Sequence, residues 1–253
     1  MSEVLPKVWA LVPASGIGSR MAADRPKQYL PLSSHQTVLD ATLSRLLSFQ
    51  PLSGIMLALA KDDPYFSSSA YYQASPLMTC DGGAERYDSV LNGLVALLEQ
   101  DADESDWVMV HDAARPCVRH VDLQALIDVL GPESDGALLG VSIKDTVKRV
   151  DGTKSVESTL DRSTLWRAFT PQVFRIGQLK AALIKAKQQG VAITDDASAM
   201  ELQGYRPRMI EGASDNIKIT VPEDLAMAQW FLQQQINTQT SGNTVKDNNS
   251  CCE

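Results

Sequence analysis

Cysteine is scarce in this chain. The 253 residues carry four, Cys80 and Cys117 in the body and the vicinal pair Cys251-Cys252 near the C-terminus. No evenly spaced framework appears, which argues against a disulfide-stapled fold and fits a reducing compartment. The vicinal pair is too closely spaced for the usual metal-binding pattern and has no histidine beside it. Histidine is equally sparse, at three, and His35 and His120 sit in polar contexts, which speaks against a histidine-based metal site. Positive charge is also in deficit: 23 Lys and Arg against 31 Asp and Glu give a net charge of −8. A general nucleic-acid binder, whose affinity comes largely from clustered cations, is therefore not expected. Apolar runs fall short of the roughly 18 residues needed to span a membrane, and the N-terminus lacks a basic region followed by an apolar stretch. A cytoplasmic location is the expectation.

With 44% apolar residues, the chain has the composition of one large globular domain. An α/β domain of this length buries roughly 70–75% of its unfolded surface and needs no metal or disulfide to fold. Val8–Pro13, Ile55–Ala60 and Trp107–His111 are short continuous apolar runs, the pattern of strands covered on both faces. Between them Val38–Leu47, Ser89–Leu98 and Leu123–Leu130 carry apolar residues at helical spacing. This alternation predicts a single Rossmann-like α/β domain, residues 1–236, with a mostly parallel sheet. Two alternating, polar segments around Asp151-Gly152 read as a β-hairpin inside the stretch 140–174, a candidate protruding arm. Helices are expected over about Gly177–Gln189, over Asp195–Leu202 and from Pro222 to near Ile236, with a strand at Arg208–Glu211. The polar segment 237–253 is expected to be disordered.

Three stretches carry chemistry. In the first, Pro13, Ala14, Ser15, Gly16 and Gly18 form a small-residue turn after the first strand, with Arg20 and Lys27 close behind. Backbone N–H groups there can approach a phosphate chain, and the two cations add fixed charge. An ordinary glycine turn is the alternative. Neither a dinucleotide fingerprint nor a P-loop fits the spacing, which removes dehydrogenase and P-loop ATPase readings. In the second, Gly82 and Gly83 would allow close approach of a flat base and Ser89 a hydroxyl for its edge, unless the segment is simply a capped helix start. In the third, Asp112 and Arg115 follow a central strand; they can hold a polyol and a phosphate, or pair with each other. His111 reads as a packed histidine rather than a base. Thr194–Ser198 reads first as a helix N-terminus.

Seven motifs, in order, closely resemble those of the 2-C-methyl-D-erythritol 4-phosphate cytidylyltransferase family. They are Pro13–Arg20 with Pro26-Lys-Gln-Tyr29, Asp81–Val90, His111–Pro116, Lys144–Lys148, Asp161–Trp166 with Thr170-Pro-Gln172, Ile193–Ser198 and Asp215–Thr220. The resemblance spans about Val8 to Phe231. It implies a nucleotidyltransferase-type fold and transfer of a cytidylyl group from CTP to methylerythritol phosphate, with Mg²⁺ on the triphosphate. Arg20 and Lys27 would neutralise charge at the reacting phosphate. Lys218 and Arg162 would grip the acceptor phosphate, with Thr146 and Thr170 as hydroxyl partners, while Asp112 and Arg115 bind the acceptor. Asp112 and Asp215 are the candidate protein ligands for the metal. The arm would cross to a second copy of the chain, making a homodimer with shared sites. Ser15 stands where the family commonly has Ala, and Ala84 where relatives often carry Asp. A cytidylyltransferase for another polyol phosphate, such as ribitol 5-phosphate, is the nearest rival, and a non-catalytic nucleotide-binding protein the more distant one.

Overall fold

The computed structural model describes residues 6–16 and 24–244, with side chains described through 238. Two sequence-predicted site residues, Gly18 and Arg20, lie outside the described residues. In chain order the elements are β1 (Val8–Pro13), α1 (Val38–Leu47), β2 (Gly54–Leu59), β3 (Leu77–Asp81), α2 (Arg86–Leu98), β4 (Trp107–Val110), α3 (His120–Asp128), β5 (Ala137–Ser142), β6 (Val147–Val150), β7 (Val156–Leu160), β8 (Trp166–Arg175), α4 (Ile176–Gln188), α5 (Asp196–Glu201), β9 (Arg208–Glu211) and α6 (Glu223–Thr244).

Seven strands form one sheet in the order β3-β2-β1-β4-β8-β5-β9. All its pairings are parallel except those of β8, which runs antiparallel to both β4 and β5. The unbroken apolar runs are explained by burial on both faces. Along β1, Val8, Ala10 and Val12 join one core, with Leu39, Leu43, Leu123 and Leu126 of α1 and α3. Trp9 and Leu11 point the other way, against Val90, Leu94 and Leu97 of α2 and Leu179 and Leu183 of α4. Alternate side chains of a strand face opposite sides, so both helix layers are written into a single apolar run. A third, smaller cluster seats α6 through Ala228 against Val38, Ala114 and Ile219.

The order of strands reverses between β1 and β4, which is where sheets of this kind open a ligand crevice beyond their C-terminal ends. The loops after β1, β3 and β4 all rise at that edge.

The stretch 140–174 divides into two parts that the sequence did not separate. Gly140–Ser142 and Trp166–Phe174 belong to the main sheet as the end of β5 and most of β8. Only β6 and β7 form the separate antiparallel pair, and most of their side chains are exposed. Local pattern does not mark the sheet part because β8 begins with exposed Trp166–Ala168 and becomes buried only from Phe169 onward, with polar Thr170 and Gln172 among its buried residues. The last helix likewise continues to Thr244, past Ile236 where its apolar spacing ends. Residues 245–253 lie outside the described ones.

Close packing of α2 on β1 rests on Gly93, where a Cβ would stand 2.3 Å from the Cδ1 of fully buried Leu11. Gly93→Ala is expected to lower unfolding stability by about 1–2 kcal/mol, overpacking outweighing the gain in helix propensity. Urea denaturation measures this; an unchanged midpoint would mean that Leu11 yields without cost.

Candidate active site

A cleft opens at the C-terminal ends of β1 and β4. Its lining brings together Pro13, Ala14, Ser15 and Gly16 from the first loop, Lys27 and Gln28, Ala84–Arg86 and Ser89 from the start of α2, Asp112–Ala114 after β4, and Lys218 before α6. Three of the sequence-predicted stretches and Lys218 therefore meet around one space. Next to it lies a smaller hollow lined by Arg115, Arg167, Phe169, Asn216 and again Lys218.

The first two loops are bound to each other. Ser15 Oγ lies 2.6 Å from Ser89 Oγ, and Ser89 Oγ accepts the Gly83 N–H at 3.0 Å and donates to the Glu85 carbonyl at 3.2 Å. The Ser89 hydroxyl is thus buried and occupied in holding the loops. Gly82 serves the same junction, because a Cβ on it would come within 2.6 Å of Ser15 Cβ. Serine at position 15 adds a cross-link that alanine could not make. Ala84 is exposed in the cleft lining. Gln28, not singled out from the sequence, is buried and donates to the carbonyls of Ala14 and Gly16, at 2.6 and 3.1 Å, which shapes the first loop from beneath. Lys27 Nζ donates to the Ile219 carbonyl at 2.9 Å, so the chain near position 27 is tied to the segment that carries Lys218.

The electrostatic centre is Asp112, whose side chain is only 8% exposed. Oδ1 accepts from Arg86 Nε at 3.1 Å; Oδ2 faces Arg115 Nε at 3.2 Å and Lys218 Nζ at 2.9 Å. Burial alone would raise its pKa, but Arg86, Lys218 and Arg115 together hold the carboxyl far below the usual carboxylate range. Arg115 also donates to the Asn216 carbonyl at 2.8 Å and stacks on Phe169. Of the two readings of the Asp112–Arg115 spacing, direct pairing is realised here, and both groups border the cavities.

His111 is fully buried. Its Nε2 lies 3.0 Å from the Arg115 carbonyl, which can only accept, so Nε2 carries the proton. Nδ1 then accepts from the Thr170 hydroxyl at 3.2 Å, and Thr170 Oγ1 in turn accepts the Asp112 N–H at 3.0 Å. Burial pulls the His111 pKa down to about 4. Histidine as a packed, hydrogen-bonded group is what the sequence predicted. Thr170, expected as a partner of substrate phosphate, is buried beneath Asp112 and spends its hydroxyl orienting that loop.

Other predicted residues stand elsewhere. Thr146 and Arg162 are exposed at the base of the β6–β7 hairpin, and Arg162 donates to the Lys144 carbonyl; neither lines the cleft of its own chain. Asp215 is buried below α6, where its Oδ2 accepts from Arg119 and from Gln235 Nε2, and it does not reach the cleft. It is therefore not placed to ligate a metal there. Among the described residues no three His, Cys, Asp or Glu side chains gather into a metal-binding group. The cleft lining offers the carboxylates of Asp112 and Glu85, so it suits a metal held chiefly by a ligand's own phosphates, with Asp112 as the protein's contribution.

Asp195 begins α5 as expected: its side chain accepts the Ser198 N–H at 2.9 Å. Gln172 of β8 clamps this turn, donating to Asp195 and accepting the Ala197 N–H. Sequence reasoning did not single out Arg86 or Asp196. Arg86 lay inside a quoted motif, but its partner Asp196 is 110 positions away, and nothing local links them.

A crevice at the switch point of a doubly wound sheet, walled by small-residue loops and cations, defines an α/β protein built to receive an anionic ligand. The model of the 2-C-methyl-D-erythritol 4-phosphate cytidylyltransferase family matches residues 8–234, and the chain belongs to that family. The enzyme of that name from Pseudomonas fluorescens is 50% identical over 237 residues, 94% of this chain and 99% of the relative; that from Pseudomonas putida strain GB-1 is 48% identical over 92% and 98%. Among solved structures, a 4-diphosphocytidyl-2C-methyl-D-erythritol synthase superposes with a TM-score of 0.77 at 35% identity, covering 91% of this chain and 100% of that one. The Francisella tularensis cytidylyltransferase gives 0.76 at 36%, over 89% and 99%.

The two shifted groups predict an acid-sensitive fold. Unfolded His111 takes up a proton below its ordinary 6.5 while the folded form resists until about 4, so stability present above pH 6.5 is lost as pH falls through that window. Asp112, lowered in the folded state, then loses stabilisation at still lower pH. Urea midpoints recorded from pH 7 to 4 should decline, and His111→Gln should flatten the decline; an equal slope in both proteins would count against this assignment.

Proposed function

We propose that this chain transfers the cytidylyl group of CTP to 2-C-methyl-D-erythritol 4-phosphate, releasing pyrophosphate and forming 4-diphosphocytidyl-2-C-methyl-D-erythritol, in non-mevalonate isoprenoid biosynthesis. The observation that carries the reading is the convergence of the Pro13–Gly16 loop, Lys27, Asp112 and Lys218 on one switch-point cleft, in a chain that matches the family over residues 8–234.

An oxygen of the acceptor's phosphate attacks the α-phosphorus of CTP, a new P–O–P linkage forms, and the bond to the β-phosphate's bridging oxygen breaks. The nucleophile is already an anion at neutral pH, so no base and no covalent enzyme intermediate are needed. The chain must align two mutually repelling anions and neutralise charge at the reacting centre, and one such electrostatic contact is worth about 10²–10³ in rate. In our reading the backbone of the first loop and Gly82–Gly83 receive the nucleotide, and Lys27 with Arg20 faces its phosphates. Lys218 and Arg115 draw the acceptor phosphate in, and Asp112 accepts from its hydroxyls. Mg²⁺, when bound, would offset the triphosphate's charge, with Asp112 as the residue that holds it.

Homodimerisation through the β6–β7 hairpin completes the reading, with Thr146 and Arg162 reaching the partner's cleft. It is supported by their distance from the cleft of their own chain and by apolar side chains left exposed near the hairpin, Val150, Val156 and Trp166. No nucleic acid or membrane partner enters. No helix among the described residues is long and apolar enough to cross a membrane; the proposed cytoplasmic location rests on the cysteine pattern.

Purified chain supplied with CTP, Mg²⁺ and methylerythritol phosphate is expected to release pyrophosphate. Equal or better turnover with ribitol 5-phosphate would redirect the substrate assignment, and no turnover with either would overturn it. For the shared site, mixing inactive Lys27→Ala and Arg162→Ala chains should restore activity, because a mixed dimer holds one intact cleft. Continued inactivity after demonstrated subunit exchange would contradict the crossing arm.

A further inference from the structure

Arg86 occupies a crossing point of three elements. It lies in the first turn of α2, directly after the loop that follows β3. Its Nε donates to Asp112 Oδ1 at 3.1 Å, and its two terminal nitrogens reach both oxygens of Asp196, at 3.1 and 2.8 Å. That fork-to-fork pairing matches the planar guanidinium and could not be made by lysine. Asp196 belongs to the first turn of α5 and is fully buried.

The three cations around Asp112 differ in freedom. Lys218 has 36% of its side chain exposed and shares Oδ2 with Arg115. An acceptor phosphate entering the cleft must draw the Lys218 ammonium toward itself, which removes a countercharge from a buried carboxylate. A buried carboxylate deprived of a partner tends to turn toward another. Among the described residues Arg86 alone holds Oδ1, and it cannot follow the ligand, because leaving would strand the buried charge of Asp196.

Resting on the cytidylyl-transfer reading above, we propose that Arg86 is a positioning residue. Braced by Asp196, it keeps the Asp112 carboxylate oriented toward the acceptor's hydroxyls while Lys218 turns to the acceptor's phosphate. The role concerns the acceptor half of the cleft; the nucleotide loops are held by the separate Ser15–Ser89 network.

The test compares Arg86→Lys with the double variant Arg86→Gln/Asp196→Asn, in which no buried charge is left alone. Melting temperature, CTP affinity by calorimetry, kcat and both KM values are measured on folded protein. Expected are a CTP affinity within about threefold of wild type and a KM for the acceptor raised about tenfold or more in both variants. Variants that melt lower yet keep the wild-type acceptor KM would show a purely structural Arg86 and overturn the proposal. A wild-type chain inactive with every acceptor would instead overturn the functional reading, and this proposal with it.

Discussion

The buried carboxylate of Asp112 organises this protein's functional edge. It sits directly after β4 at the reversal of strand order, and three cations from three parts of the chain converge on it: Arg86 after β3, Arg115 in its own loop, and Lys218 before α6. A single negative charge could not be held there without them, and three closely spaced cations would repel one another without it. In the proposed reaction an incoming phosphate would meet cations that the carboxylate already holds in place. Below it, Thr170 and neutral His111 hold the Asp112 backbone and the Arg115 carbonyl, so the loop is supported from beneath by uncharged groups.

The sheet makes this possible at little local cost. Parallel strands covered on both faces deliver their C-terminal loops to one edge, and β8, inserted antiparallel, brings Thr170 and Gln172 up beside β4 and α5. Two separate hydrogen-bonded systems then share the cleft. The Ser15–Ser89–Gly83 network shapes the side formed by the first loop and the start of α2, and the Asp112 cluster shapes the other. Lys27 links them through the Ile219 carbonyl, one residue beyond Lys218.

Much of the fold was legible in the chain because the signals were local. Apolar runs six residues long marked β1 and β2, helical spacing marked α1 to α4, and the Asp195 cap announced α5. What was misjudged had mixed signals. β8 starts exposed and ends buried, so its first half read as part of an arm; α6 outruns its apolar stripe, so its length did not show in periodicity. In the site, Ser89 lies in the cleft lining as its motif suggests, and with Gly82 it also holds the contact between two loops, a pairing of Ser15 and Ser89 across 74 positions that no local pattern shows. Asp215, three positions before Lys218, reads locally as a metal candidate, but packing turns it under α6 toward Arg119 and Gln235.

By itself the sequence determined the class of sheet, the loops that line the cleft and the family, because periodicity and ordered motifs are properties of neighbouring residues. Tertiary structure alone decided how the charges pair. Arg86 and Asp196 meet across 110 positions, and Lys27 and Ile219 across 192, distances at which no local pattern carries information. The scarcity of positive charge was plain from composition; that Arg86, Arg115 and Lys218 would be spent on one buried aspartate emerges only when three loops close over the same sheet edge.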